Sequence, residues 1–143
     1  MSMPVALERS VRLPWQRHAA ARFAVIVAAL LIRLSPRRLR QVLCVARYGA
    51  RPAATTQALA ARQAVVSVSV QCAGQSCLQR AVATALLCRL GGTWPDWCTG
   101  IRTEPFRAHA WVEVDGHPVG ERDEIRLYHK VMTVPARGVK AGG

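Results

Sequence analysis

Two side chains in the second half of the chain have the type and setting for nucleophilic chemistry. Cys77 follows the turn Ala73-Gly74-Gln75-Ser76 and opens a stretch in which Leu78, Ala81, Val82, Ala85 and Leu86 recur at the spacing of one helix face. A thiol in the first turn of a helix meets unpaired backbone N–H groups and the positive end of the macrodipole, and both favour the thiolate. A thiolate that attacks a carbonyl needs a histidine to hold the ion pair and to protonate the leaving amine. His109 lies 32 residues further on, inside Ala108 to Val114. There His109, Trp111 and Glu113 alternate with Ala110, Val112 and Val114, as on the two faces of a strand. Asp115, Glu121 and Asp123 follow closely, and any of them can accept the second imidazole N–H and fix its tautomer. Each part has a plainer reading. A cysteine at a helix start is usually a small core residue. A strand histidine beside tryptophan is usually structural, and Asp-Gly is mainly turn chemistry.

The elements that must position these groups can be read from pattern. Ser76 is the expected N-cap of the Cys77 helix, which runs to about Leu90 and stops at Gly91-Gly92. Cys98 to Arg102 reads as a short strand. Asp115-Gly116 predicts a hairpin, with His117 to Glu121 as the returning strand. Upstream, residues 17–33 read as a core helix, apolar nearly all round. Ser35-Pro36 starts a second helix, with Leu39, Val42, Leu43 and Ala46 on one face, and Arg51-Pro52 follows it as a break. Residues 54–64 are Ala-rich and helical in pattern, whereas the alternation Val65-Val66-Ser67-Val68-Ser69-Val70 favours strand. This predicts an α+β chain in three parts: a basic helical region over 1–62, a catalytic core over 63–134 and a flexible tail over 135–143.

The chain has 143 residues, of which 51% are hydrophobic and 20% charged. That suits one compact domain and excludes disorder by composition. Charge is uneven. Residues 1–62 hold eleven Arg and one acid, Glu8, a net of +10, whereas residues 63–143 hold nine basic and seven acidic residues, a net of +2. A basic face of this kind meets nucleic acid, lipid head groups or an acidic peptide, or is simply solvated. No helix-turn-helix spacing or aromatic RNA-binding motif supports a nucleic-acid module. The longest apolar run, Phe23 to Ile32, is bounded by Arg22 and Arg33 and falls short of the roughly 20 residues of a spanning helix. Contact with a membrane surface stays open. Leu34-Ser35-Pro36-Arg37-Arg38 follows that run without a small-residue cleavage site, so no secretory signal is expected. Cys44, Cys72, Cys77, Cys88 and Cys98 are odd in number and contain no C-x-x-C pair. Reduced thiols in the cytoplasm, with no disulfide framework, zinc site or cofactor, are the expectation.

The stretch Ser76-Cys77-Leu78-Gln79-Arg80-Ala81, followed by Gly100-Ile101-Arg102 and by Pro105-Phe106-Arg107-Ala108-His109-Ala110-Trp111-Val112-Glu113-Val114-Asp115-Gly116, resembles the transglutaminase-like, papain-related superfamily. More narrowly it resembles the stand-alone leader peptidases of lasso peptide biosynthesis (B2 proteins). The resemblance covers roughly residues 70–130. It implies a cysteine peptidase that cuts a ribosomally made precursor, which a separate B1-type leader-binding protein delivers. An ATP-dependent cyclase then joins the freed amine to an Asp or Glu side chain. By position, Cys77 matches the nucleophile and His109 the general acid and base. The third residue of the family is normally Asp; here the aligned position is Glu121, with Asp123 and Asp115 in reserve. The Cys77 backbone N–H, with Gln71 or Gln75, is the oxyanion candidate. Trp94 and Trp97, beside Pro95, are candidates to border a substrate groove. An acyl transferase of the same fold uses the same three groups, so the residues alone do not separate it from a peptidase.

Overall fold

The computed structural model describes residues 13–136, apart from Gln75 and the side chain of Gln71. Helices form one layer and an antiparallel sheet the other. Helix α1 (Trp15–Leu31) lies close to its expected span, but it is not apolar core all round. It buries only the small residues Ala21, Ala24 and Ala28, which let its backbone approach α5 and α3 closely, and it leaves Phe23, Ile26 and Leu30 exposed. Helix α2 (Pro36–Ala46) starts as expected: the Arg38 N–H donates to Ser35 Oγ at 3.3 Å, and Pro36 occupies the first turn. Leu39 and Leu43 are its buried residues.

Strand β1 (Arg51–Pro52) pairs in parallel with β2 (Thr93–Trp94). Between them, α3 (Thr55–Val68) overturns the expected strand at 65–70. Val65 and Val66 are adjacent in sequence and both buried, which a strand with one buried face cannot achieve. Packing of α3 against α5 and α1 outweighs the β-preference of the valines. Helix α3 also runs through the 62/63 border, and one hydrophobic cluster draws on residues from Ala21 to Val134. The basic helices and the sheet therefore share a core. The short α4 (Val70–Ala73) leads to α5 (Cys77–Leu90), the central helix, which packs against α1, α3 and β4. Its start and its Gly91-Gly92 stop are as expected, but the Ser76 side chain makes no capping hydrogen bond.

The main sheet has the order β5-β4-β3-β6. Strand β3 (Asp96–Arg102) pairs with β4 (Arg107–Val114) on one side and β6 (His129–Val134) on the other. Asp115 and Gly116 have φ of 53° and 80°, the left-handed pair that a two-residue hairpin requires. The returning strand β5 is only His117–Pro118, shorter than the expected run to Glu121. A 3-10 turn (Asp123–Leu127) then leads into β6, which pattern did not disclose.

Candidate active site

Cys77 is the first residue of α5, and its thiol abuts β4. The His109 ring and the Ala110 backbone N–H both lie against its sulfur and favour the thiolate. The second ring nitrogen of the histidine, Nε2, lies 2.7 Å from Glu121 Oε1. That leaves Nδ1 for Cys77, so the imidazole bridges a thiol and a carboxylate. Cys77 is half-buried, and the His109 side chain keeps 19% of its exposure, enough to meet a ligand.

The electrostatics follow from this contact. Burial pushes the Cys77 thiol up. The hydrogen bonds from His109 and the Ala110 N–H, with the charges of His109 and Arg80, outweigh it and hold the pKa below the ordinary value. Burial alone would lower His109, but its hydrogen bonds to Cys77 and Glu121 and their negative charges push it up to about 9. Both shifts favour a thiolate–imidazolium pair.

Arg80, whose side chain is buried, bends back so that Nη1 donates to the carbonyls of Cys72 at 3.1 Å and Gly74 at 3.3 Å. It thereby ties the segment before Cys77 to the helix that Cys77 begins. On the far side of the imidazole, Arg62 of α3 places Nη2 3.7 Å from Glu121 Oε2, with both side chains more than nine-tenths buried. Gly120 makes this possible. Its φ is +70°, and a Cβ there would lie 2.7 Å from Arg62 Cδ.

The plane of the imidazole is set by aromatic neighbours. Trp111 stacks on it with centroids 5.8 Å apart, and Tyr128 leans against it at 5.5 Å. The Trp111 indole N–H donates to Glu113 Oε2 at 2.8 Å, and Lys130 Nζ donates to Glu113 Oε1 at 2.7 Å. Gly100, opposite His109 in the β3–β4 register, leaves room for this arrangement: a Cβ there would meet Trp111 Cη2 at 2.8 Å and the His129 carbonyl oxygen at 2.6 Å. Gly100→Ala is therefore expected to lower stability by about 1–3 kcal/mol through overpacking. It should also tilt the Trp111 ring and shift His109. A thermal melt, with the His109 ring resonances before and after substitution, checks both effects.

Of the residues read from sequence, Cys77, His109 and Glu121 come together. Asp115 lies exposed in the β4–β5 turn, and Asp123 lies exposed on the 3-10 turn; the carboxylate at the imidazole belongs to Glu121. Gln75 and the Gln71 side chain lie outside the described residues. The Trp94 and Trp97 groove is corrected: both side chains are fully buried, with the Trp94 indole N–H donating to the Val134 carbonyl at 3.0 Å. They are core, because the strands flanking Pro95 turn them inward against the helices. Sequence reading missed Arg62 and Tyr128 and gave Arg80 no role. Only Arg80 carried a signal, three residues beyond Cys77 and so on the same side of its helix. Among the described residues no group of three His, Cys, Asp or Glu side chains is placed to hold a metal ion, and no helix is long and apolar enough to cross a membrane.

A nucleophilic thiol, an imidazole and an orienting carboxylate in one line are the parts of acyl-transfer catalysis, with water or an amine as the final acceptor. Comparison with curated proteins and with solved structures finds no match. The family model for the transglutaminase-like superfamily, whose members are typically cysteine peptidases and acyl transferases, matches residues 21–133. That span takes in Cys77, His109, Glu121 and the helices packed around them, and the chain belongs to the transglutaminase-like superfamily.

Proposed function

We propose that this chain is a cytoplasmic cysteine peptidase that removes the leader from a ribosomally made lasso precursor peptide. A separate leader-binding protein delivers the precursor, and an ATP-dependent cyclase takes the product. The observation that carries the reading is the imidazole of His109 held between the Cys77 thiol and the Glu121 carboxylate. The Cys-Leu-x-Arg and His-Ala-Trp-Val-Glu-Val-Asp-Gly blocks add the narrower resemblance.

The chemistry follows from the contact. The Cys77 thiolate attacks the scissile carbonyl carbon, and the new oxyanion faces the backbone N–H at the start of α5. As the C–N bond breaks, the imidazolium of His109 gives its proton to the leaving amine, the new N-terminus of the core peptide. Water then gives a proton to the neutral imidazole and attacks the thioester. The leader leaves as a carboxylic acid that gives its proton to solvent, and Cys77 returns as thiolate beside the imidazolium. Glu121 holds the ring in place throughout by accepting from its Nε2–H.

The test is to incubate the chain with the precursor and its leader-binding protein and to weigh the products. Two fragments whose masses sum to the precursor plus one water are expected. An added labelled amine that appears on the leader fragment would make the chain an acyl transferase instead. No change in the precursor would end both readings.

Glu121→Ala is expected to lower kcat on the order of 10²-fold, because the imidazole loses its orienting acceptor. Asp123→Ala, on the exposed turn, should stay within about twofold. Arg62→Met should also lower kcat while leaving KM little changed, since Arg62 acts through Glu121. Arg62→Lys should recover part of the loss. Steady-state cleavage rates of the four variants, measured where each is folded by circular dichroism, decide the order.

A further inference from the structure

The exposed face of α1 has no role in the site. Trp15, Ala19, Phe23, Ile26 and Leu30 follow one another at intervals of three and four residues and form a single stripe along the helix. Trp15 is 77% exposed, Phe23 and Ile26 58% each and Leu30 60%. The opposite face is already used, with Ala21, Ala24 and Ala28 sealed in the core. Exposed Arg22 lies beside the stripe, and exposed Arg33, Arg37, Arg38 and Arg40 follow it into α2. Between Trp15 and Leu90 the chain has eleven arginines and no acid; seven of its eight acidic residues come from Asp96 onward, in the sheet half. The molecule is thus polar in charge: the helical layer is cationic and carries the apolar stripe, and the sheet layer carries the described acids.

We propose that α1 docks this protein onto an anionic lipid surface, with Trp15, Phe23, Ile26 and Leu30 entering the boundary between head groups and acyl chains and the flanking arginines pairing with phosphate. The stripe is a convex ridge about 25 Å long rather than a groove. A ridge of large apolar side chains with arginine flanks fits a deformable interface, in which the guanidinium groups stay at head-group level. A second copy of the chain fits poorly, because the same face would bring arginine against arginine with no acid in either helical layer to pair them. The phosphate backbone of a nucleic acid gives Ile26 and Leu30 nothing to contact.

The placement also orients the site. Helix α1 runs antiparallel to α5: Arg17 lies beside Cys88 near the end of α5, and the Val25 carbonyl accepts from Gln79 Nε2 at 3.2 Å near its start. The Leu30 end of the stripe therefore points toward the Cys77 end of α5. A docked molecule holds its thiol at a fixed height above the lipid.

The experiment is co-sedimentation of the full chain with vesicles of phosphatidylcholine, with and without phosphatidylglycerol. Binding is expected only with phosphatidylglycerol and should fall steeply as salt is raised. The double variant Phe23→Ser, Ile26→Ser should bind about tenfold more weakly or worse. The double variant Arg22→Gln, Arg33→Gln should bind more weakly and with a flatter salt dependence. Absence of binding by the wild-type chain, or equal binding by the Phe23/Ile26 variant, overturns the proposal. A third result also overturns it: no vesicle binding, but loss by the Phe23/Ile26 variant of processing that needs a protein partner. The stripe would then be a protein-docking face. Vesicle binding does not depend on Cys77, so a lipid result stands or falls apart from the peptidase reading.

Discussion

Cys77→Ala should abolish precursor cleavage, a loss on the order of 10⁴-fold or more. Cys77 is the thiol that lies at the imidazole. Burial pushes Cys72 up, takes Cys88 to about 11 and, with the nearby Glu113 charge, takes Cys98 to about 12. Cys77 is the thiol that pairs with the imidazole, and its pKa is shifted down. Cys77→Ser should be nearly as inactive, because a hydroxyl gives up its proton far less readily than a thiol and the acylation step starts from an anion. A cheaper readout needs no substrate. Brief treatment with iodoacetamide at neutral pH should label Cys77 first, with peptide mapping by mass to locate the label. Undiminished cleavage by the alanine variant would remove the thiol from the reaction altogether.

His109→Ala should cost about 10²–10⁴-fold, since one substitution removes both the partner of the thiolate and the acid for the leaving amine. The pH profile of the unaltered protein gives the same result without mutation. At low pH the thiol is protonated and attack is slow. As pH rises past the lowered Cys77 pKa, the ion pair forms and kcat/KM climbs. As pH rises further through about 9, the imidazolium loses its proton, the leaving amine has no acid, and kcat/KM falls. The two limbs belong to the coupled pair rather than to either residue alone. Initial cleavage rates across the alkaline range measure the second limb, which should disappear in the His109→Ala variant. A rate that stays flat through pH 9 in the native protein would mean that proton transfer from this imidazole does not govern acylation.

How much of this arrangement sequence discloses depends on whether a neighbour along the chain or across the fold decides each part. The Cys77 helix and the α2 helix are legible because their signals are local: apolar spacing in both, Ser35 before Pro36, paired glycines after Leu90. The Asp115-Gly116 hairpin is legible for the same reason, since both residues must take positive φ. The valines at 65–68 mislead because packing against α5, not their own preference, fixes them as helix. Strand β6 escapes because its first three residues are exposed and its pairing partner, β3, lies some thirty residues back. Trp94 and Trp97 look like rim residues beside a proline, and only the fold turns them inward. Within the site, Cys77 and His109 carry signals of residue type and setting, and Glu121 enters through the family pattern. Arg62 is illegible: nothing local ties an arginine in the middle of α3 to a carboxylate that meets it only after folding.

Strand β6 has a bearing on how the protein is made. It is the last element of the described chain. Its end is fastened at Val134 to the Trp94 indole, and the two residues beyond are fastened at Pro135 to Arg47 and at Ala136 to Asp96. While translation is still in progress, β3 lacks its second partner and the imidazole lacks Tyr128. The site therefore reaches its full arrangement only after β6 has left the ribosome and paired with β3. A copy truncated just before His129 would present the bare edge of β3 to its neighbours and be prone to aggregate rather than to act.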